Sequence, residues 1–159
     1  MDTKHSLDSR QSQELLLRTL DPETDRALFE TAYRWRPIYR SRLQPDRAPF
    51  ETFIADDPKQ IVVGLFNGDL QAVYVTYEFE PGKFETHYTS HRKAPRENVL
   101  WGAQQILNIM LSNGAEEVLA YVSPQNKPLC RFVQDIGFSD PVEYVDPTGR
   151  KFLRYSAHP

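Results

Sequence analysis

The chain has 159 residues, of which 40% are hydrophobic and 26% charged. That is enough chain for one core, and too apolar a composition for a disordered protein. A formal charge of -3 argues against bulk, charge-driven nucleic-acid binding, and a lone cysteine, Cys130, excludes an internal disulfide framework or a cysteine-built zinc site.

Residues 1–13 offer only Met1 and Leu7 to a core, so a flexible tail is expected there, followed by a single domain over residues 14–159. The tail lacks the apolar h-region of a secretory signal, and no apolar run reaches the roughly 18–20 residues of a membrane helix. A cytoplasmic protein is the expectation. Glu14 to Leu20 is a short apolar run that predicts a first strand. Asp21-Pro22-Glu23 predicts a helix start, with Asp21 as cap and Pro22 in the first turn. Leu28, Phe29, Ala32 and Tyr33 follow at helical spacing, and a second short helix is expected over Phe50 to Ala55.

The middle of the chain predicts an antiparallel meander. Gln60 to Phe66 is β-branched, Asn67-Gly68-Asp69 is hairpin chemistry, and Gln71 to Glu80 forms the return strand. Pro81-Gly82 turns into a third strand, Lys83 to Ser90. Alternation places Glu85, His87 and Thr89 on one face and Phe84, Thr86 and Tyr88 on the other. A long helix is expected over 95–112, opened by Pro95 and Glu97 and stopped by Asn113-Gly114. Glu117 to Val122 reads as a buried strand, Asn126 to Gly137 as a helix, and Val142 to Tyr155 as a terminal hairpin around Asp146-Pro-Thr-Gly149. This order is that of an α/β (α+β) protein. The expected sheet is mostly antiparallel, of six to seven strands, with about four helices on its faces.

The order of elements, and above all the segment from Asn126 to Phe138, resembles the GNAT N-acetyltransferase superfamily. Asn126, Leu129, Phe132, Ile136, Gly137 and Phe138 stand in the register of that family's fourth helix: an opening Asn, apolar and aromatic positions, and a closing Gly-Phe. The resemblance spans Leu15 to Tyr155. It implies a GNAT-like fold, acetyl-CoA as co-substrate with no metal, and transfer of the acetyl group to a primary amine of a small molecule or protein. Such proteins rest the donor's diphosphate on backbone N–H groups at the start of the third helix.

Two positions depart from the family pattern. The phosphate loop, usually glycine-containing, is here Ser90-His91-Arg92-Lys93-Ala94-Pro95-Arg96-Glu97, with no glycine. The expected donor-binding set is Ser90, Arg92, Lys93, Arg96, Glu97 and Asn126, with side-chain cations in place of a glycine cradle. The position of the family's general-acid tyrosine is Val133, which cannot donate a proton. The expected catalytic set is therefore Glu85, His87 and Tyr121, with His87 suited to base catalysis by its near-neutral titration. Cys130 is ionisable too, although a cysteine on an apolar helix face is ordinarily a small core residue. No metal-ligand spacing, nucleophile elbow or Walker pattern occurs.

Arginines cluster from Arg34 to Arg47, interleaved with Trp35 and Tyr39. In the resemblance this region borders the acceptor, so Arg36, Tyr39 and Arg40 are the expected substrate contacts, toward an anionic partner. The same stretch also reads as a solvated surface in which arginine stems cover the aromatics, and is too short to diagnose RNA binding. The departures favour a second possibility, a catalytically degenerate GNAT-fold binding or structural protein such as a phage virion component.

Overall fold

The computed structural model describes residues 15–35 and 49–159. The tail expected over residues 1–13 and the arginine stretch from Arg36 to Arg47 lie outside the described residues. The elements are β1 (Leu16–Thr19), α1 (Arg26–Tyr33), α2 (Phe50–Phe53), β2 (Gln60–Asn67), β3 (Asp69–Glu80), β4 (Lys83–Ser90), α3 (Arg96–Ser112), β5 (Glu117–Val122), α4 (Lys127–Ile136), β6 (Val142–Val145) and β7 (Lys151–Ala157). Seven strands form one sheet in the order β1-β2-β3-β4-β5-β7-β6, antiparallel throughout except where β4 meets β5. This is the α/β architecture anticipated from the order of elements.

Strand alternation divides the core into two layers. On one face, Val62, Val73 and Val75 pack with Leu20 against Phe29 and Ala32 of α1 and Phe53 of α2. Phe29 and Phe53 meet edge-on, ring centroids 5.1 Å apart. On the other face, α3 and α4 cover the sheet. Val99 and Phe132 pack on Leu65, Ala72 and Tyr74. Leu107, Val133 and Phe138 pack on Val118, Ala120, Val122 and Tyr155.

Local chemistry explains most boundaries. Asp21 does accept N–H bonds, from Glu23 and Thr24 at 2.8 and 3.0 Å, but it closes an isolated turn. The regular helix begins one turn later, at Arg26. The delay has a cause in Asp25, whose carboxylate accepts from the Asp21 N–H at 2.8 Å and from Arg18 at 3.0 Å. The Arg18 hydrogen bond first, and that N–H second, hold the Asp25 carboxyl below its ordinary range. Gly68 turns the β2–β3 hairpin at φ 77°, as Asn-Gly chemistry suggests. Gln71 is the odd residue of a bulge, because Leu65 pairs with Ala72 and Phe66 with Leu70.

α4 is capped by Asn126, whose Oδ1 accepts from the Leu129 N–H at 3.3 Å, and closed by Gly137 at φ 125°. In the β6–β7 turn, Asp146 Oδ1 accepts from the Thr148 hydroxyl at 2.7 Å and from the N–H groups of Arg150 and Thr148 at 2.8 and 2.9 Å. The Thr148 hydroxyl is the main reason the Asp146 carboxyl sits below its ordinary range, and the turn is correspondingly well pinned.

Candidate active site

β4 and β5 are paired only at their beginnings. Lys83, Phe84 and Glu85 are in register with Glu117, Val118 and Leu119, and there the ladder stops. β4 nevertheless continues to Ser90, paired to β3 as far as Ala72↔Ser90. β5 continues to Val122, paired to β7. The two strands therefore part in the middle of the sheet, and their facing main-chain groups beyond Glu85 and Leu119 have no ladder partner across the gap. A cavity of about 800 Å³ occupies the opening. Thr86, His87, Tyr88 and Ser90 of β4 form one wall, and Ala120, Tyr121 and Val122 of β5 the other.

One end of the cavity reaches the start of α3, at Arg92, Ala94 and Arg96. His91 organises the approach: its N–H bonds Gln71 O at 2.8 Å, its carbonyl accepts from Ala94 at 2.9 Å, and its Nδ1 accepts from the Lys93 N–H at 3.1 Å. Pro95 at the cap makes no side-chain cap bond. Among the described residues, the N–H groups of Arg92, Arg96 and Glu97 have no acceptor in the protein. Unsatisfied N–H groups at the positive end of a 17-residue helix suit an anion. The Arg96 guanidinium lies over the Phe132 ring at 5.4 Å and binds Asp135 of α4 at 2.6 Å, so it spans α3 and α4.

Comparisons with solved structures bear on this arrangement. The chain superposes on a mutant spermidine N-acetyltransferase from Vibrio cholerae with a TM-score of 0.70 at 12% identity, covering 91% of this chain and 95% of that one. For a ribosomal-protein alanine N-acetyltransferase from Escherichia coli the TM-score is 0.68 at 14% identity, covering 91% and 93%. For an aminoglycoside acetyltransferase in complex with coenzyme A it is 0.67 at 12% identity, covering 91% and 95%. The chain has the GNAT fold. At these identities the likeness is one of fold, and no family model and no curated protein matches the sequence.

Within the GNAT fold, the structure gathers His87, Ser90, Arg92, Arg96, Tyr121 and Asn126 around the one cavity. Lys93 and Glu97 belong to the same loop and helix tip, but they are exposed and do not line it. Arg36, Tyr39 and Arg40 lie outside the described residues.

Glu85 and His87 share the α1–α2 face of β4, as alternation required, opposite Tyr77 and Val75 of β3. Glu85 is 2% exposed, and its Oε2 lies 3.5 Å from His87 Nε2. That nitrogen is buried and makes no hydrogen bond among the described residues, and the same holds for Thr89 Oγ1. Tyr121, half-buried, meets Tyr144 edge-on at 5.4 Å.

Val133 is 5% exposed, within the core between α4 and β5. Cys130 neighbours Tyr155, and burial first, then the thiol contact, pushes that phenol up to about 12. Neither Cys130 nor Tyr155 lines the cavity.

Four cavity residues carried no sequence signal of their role. Tyr88 stacks on Phe132 at 5.1 Å and on Tyr74 at 6.3 Å, an aromatic ladder behind the helix tip. Arg150 and Phe152 arrive from the terminal hairpin, with the guanidinium 5.2 Å from the ring. Alternation predicted the strand of Phe152, which Arg150 precedes, but only the pairing of β7 with β5 brings the two to the cavity.

Proposed function

We propose that the protein binds acetyl-CoA in the cleft between β4 and β5 and transfers its acetyl group to a primary amine. The observation that carries this reading is the ladder that ends at Glu85 and Leu119 and opens into a cavity ending at an unsatisfied helix tip. The fold neighbours support it, since they include acetyltransferases, one of them in complex with coenzyme A. Among the described residues, no helix is long and apolar enough to cross a membrane.

The donor's diphosphate rests on the N–H groups at the start of α3, with Arg92 and Arg96 supplying the charge that a glycine-lined loop would supply by closer backbone approach. Pantetheine lies between the parted strands, where unpaired main-chain groups of β4 and β5 offer it hydrogen bonds. Asn126, already engaged as the α4 cap, borders it.

The amine approaches from the α1–α2 face, where His87 and Glu85 stand. The His87 imidazole takes the first proton from the ammonium, and the buried Glu85 carboxylate, 3.5 Å from Nε2, stabilises the imidazolium that results. The amine nitrogen attacks the thioester carbonyl and the carbon–sulfur bond breaks. The departing thiolate takes a proton from the Tyr121 hydroxyl, and the second proton lost from the amine nitrogen restores that phenol. Val133 leaves α4 without a donor for this step, and Tyr121 is the cavity hydroxyl on the facing strand.

Isothermal titration of the full chain with acetyl-CoA tests the reading. Saturable binding is expected, and neither heat nor thermal shift at millimolar ligand would overturn it. Binding without turnover on any amine would instead favour the degenerate binding protein, a possibility that the valine at position 133 keeps open. A second test uses the Arg96–Asp135 pair. Asp135→Asn releases the guanidinium and removes a negative charge from the diphosphate's path. Because the pair is half-exposed, a modest gain is expected, a roughly two- to fivefold lower Kd for acetyl-CoA. An unchanged or higher Kd would place the diphosphate elsewhere.

A further inference from the structure

We propose that the acceptor amine is carried by a molecule that also bears a carboxylate, which Arg150 binds at the acceptor end of the cleft. The inference deepens the proposed acetyl transfer and rests on it for the position of the amine. It comes from the hairpin of β6 and β7, which no site residue read from sequence includes. Arg150 and Phe152 line the cavity, and the guanidinium stands over the Phe152 ring, so both side chains occupy one face.

Strand parity identifies that face. Leu153, Tyr155 and Ala157 of β7 point into the α3–α4 layer. Phe152 and Arg154 alternate with them and so face the opposite side, with Tyr121 and His87. Arg154 sits directly across from Tyr121. The diphosphate-binding helix tip lies in the other layer, so Arg150 is on the acceptor side of the sheet.

Arg18, Arg26 and Arg96 each have a carboxylate partner. Among the described residues, neither Arg150 nor Arg154 is in an ion pair. Asp146 feels the Arg150 charge, but its Oδ1 is committed to three turn hydrogen bonds, one of them from the Arg150 N–H. The buried acid Glu85 on this face stands against His87. A guanidinium that lines the cavity, stacks on Phe152 and is in no ion pair among the described residues recognises a planar anion, and a carboxylate matches its fork. The same charges repel a polycation. The structure thus assigns this chain an acceptor preference opposite to a polyamine's, although one fold neighbour is a spermidine N-acetyltransferase.

The full chain with acetyl-CoA would be assayed on four amines: free glutamate, a tetrapeptide with a free N-terminus and two glutamates, the same peptide with lysines, and spermidine. The glutamate probes are expected to exceed the lysine peptide and spermidine about tenfold or more in kcat/KM, the scale of one charge-assisted bidentate contact. The two glutamate arms tell a free amino acid from a peptide. Arg150→Ala should raise KM for the glutamate probes about tenfold with acetyl-CoA affinity unchanged, and Arg150→Glu should shift preference toward spermidine. Arg150 is exposed, so neither change threatens the fold.

Preference for spermidine in the unaltered protein, an unmoved KM, or weakened acetyl-CoA binding in Arg150→Ala would each overturn the proposal. Should acetyl-CoA fail to bind, the transferase reading falls separately. Titration of the acidic peptide into the protein then decides the anion site: Arg150-dependent binding sustains it, and no binding ends it.

Discussion

His87→Ala is expected to lower the rate of acetyl transfer by ~10²–10⁴-fold, the usual loss when a positioned general base is removed. The acetyl-CoA Kd should stay within about twofold, because the imidazole stands on the face of β4 opposite the α3 tip. His87 is 14% exposed and its Nε2 has no hydrogen bond among the described residues, so little folding energy depends on that nitrogen. His87→Gln keeps the volume and a polar tip, which separates lost chemistry from lost packing. Glu85→Gln should produce a smaller fall in kcat than His87→Ala, since it removes the charge that stabilises the imidazolium and leaves the base in place. Stopped-time thiol release, read alongside calorimetric acetyl-CoA binding, distinguishes these effects. A His87→Ala enzyme with normal turnover would remove the histidine from the reaction and leave water or Glu85 itself as the base.

The sequence carried the fold further than the site. Period-2 alternation around Glu85, His87 and Tyr88 survived intact in the β3–β4 register, because Glu85 and Thr89 are buried on one face and the other face is half-buried, so a slip would exchange the two sets. Asn126 and Gly137, which end α4, were legible because capping is local chemistry. Asp21 misled by one turn, since a competing carboxylate at Asp25 captured its own N–H.

The cleft was different. That β4 and β5 separate after Glu85 and Leu119 is a property of a parallel pair distant in sequence, and no periodicity encodes where such a pairing ends. The resemblance carried by Asn126 to Phe138 pointed to a donor site at the start of α3. Arg150 was invisible for a related reason. As a residue it is one more surface arginine beside a turn, and only the placement of β7 against β5 gives it a cavity to face. Gly102 stands inside α3, too late in the chain to cradle phosphate. The structure gives it a packing role instead.

That role carries a stability prediction. A Cβ built on Gly102 collides with the Tyr74 hydroxyl and comes within 3.0 Å of Tyr74 Cζ. Tyr74 cannot move aside cheaply. It is 3% exposed, its Oη donates to Val99 O at 2.7 Å, and its ring is held against Tyr88. Burial drives its phenol well above the ordinary range, so it remains a neutral donor at any working pH.

Gly102→Ala must therefore push α3 off the sheet or break a buried hydrogen bond. A loss of about 2–3 kcal/mol follows, against which the better helix propensity of alanine returns about 1 kcal/mol at most. The net fall in Tm should be several degrees, at roughly 2–4 °C per kcal/mol for a domain of this size. Tyr74→Phe removes the colliding oxygen, so Gly102→Ala should cost less in that background than alone, a positive coupling in the double-mutant cycle. The rescue is partial because Tyr74 Cζ and Cε1 still lie within 3.3 Å of the new carbon.

The same displacement reaches the cleft. Tyr74 and Val99 both line it, and α3 carries the N–H groups assigned to the diphosphate. Gly102→Ala should thus weaken acetyl-CoA binding through a residue that never touches the ligand. Equal melting temperatures for Gly102→Ala and the unaltered chain would show that α3 is not held by this contact. The position of the helix tip would then need another cause.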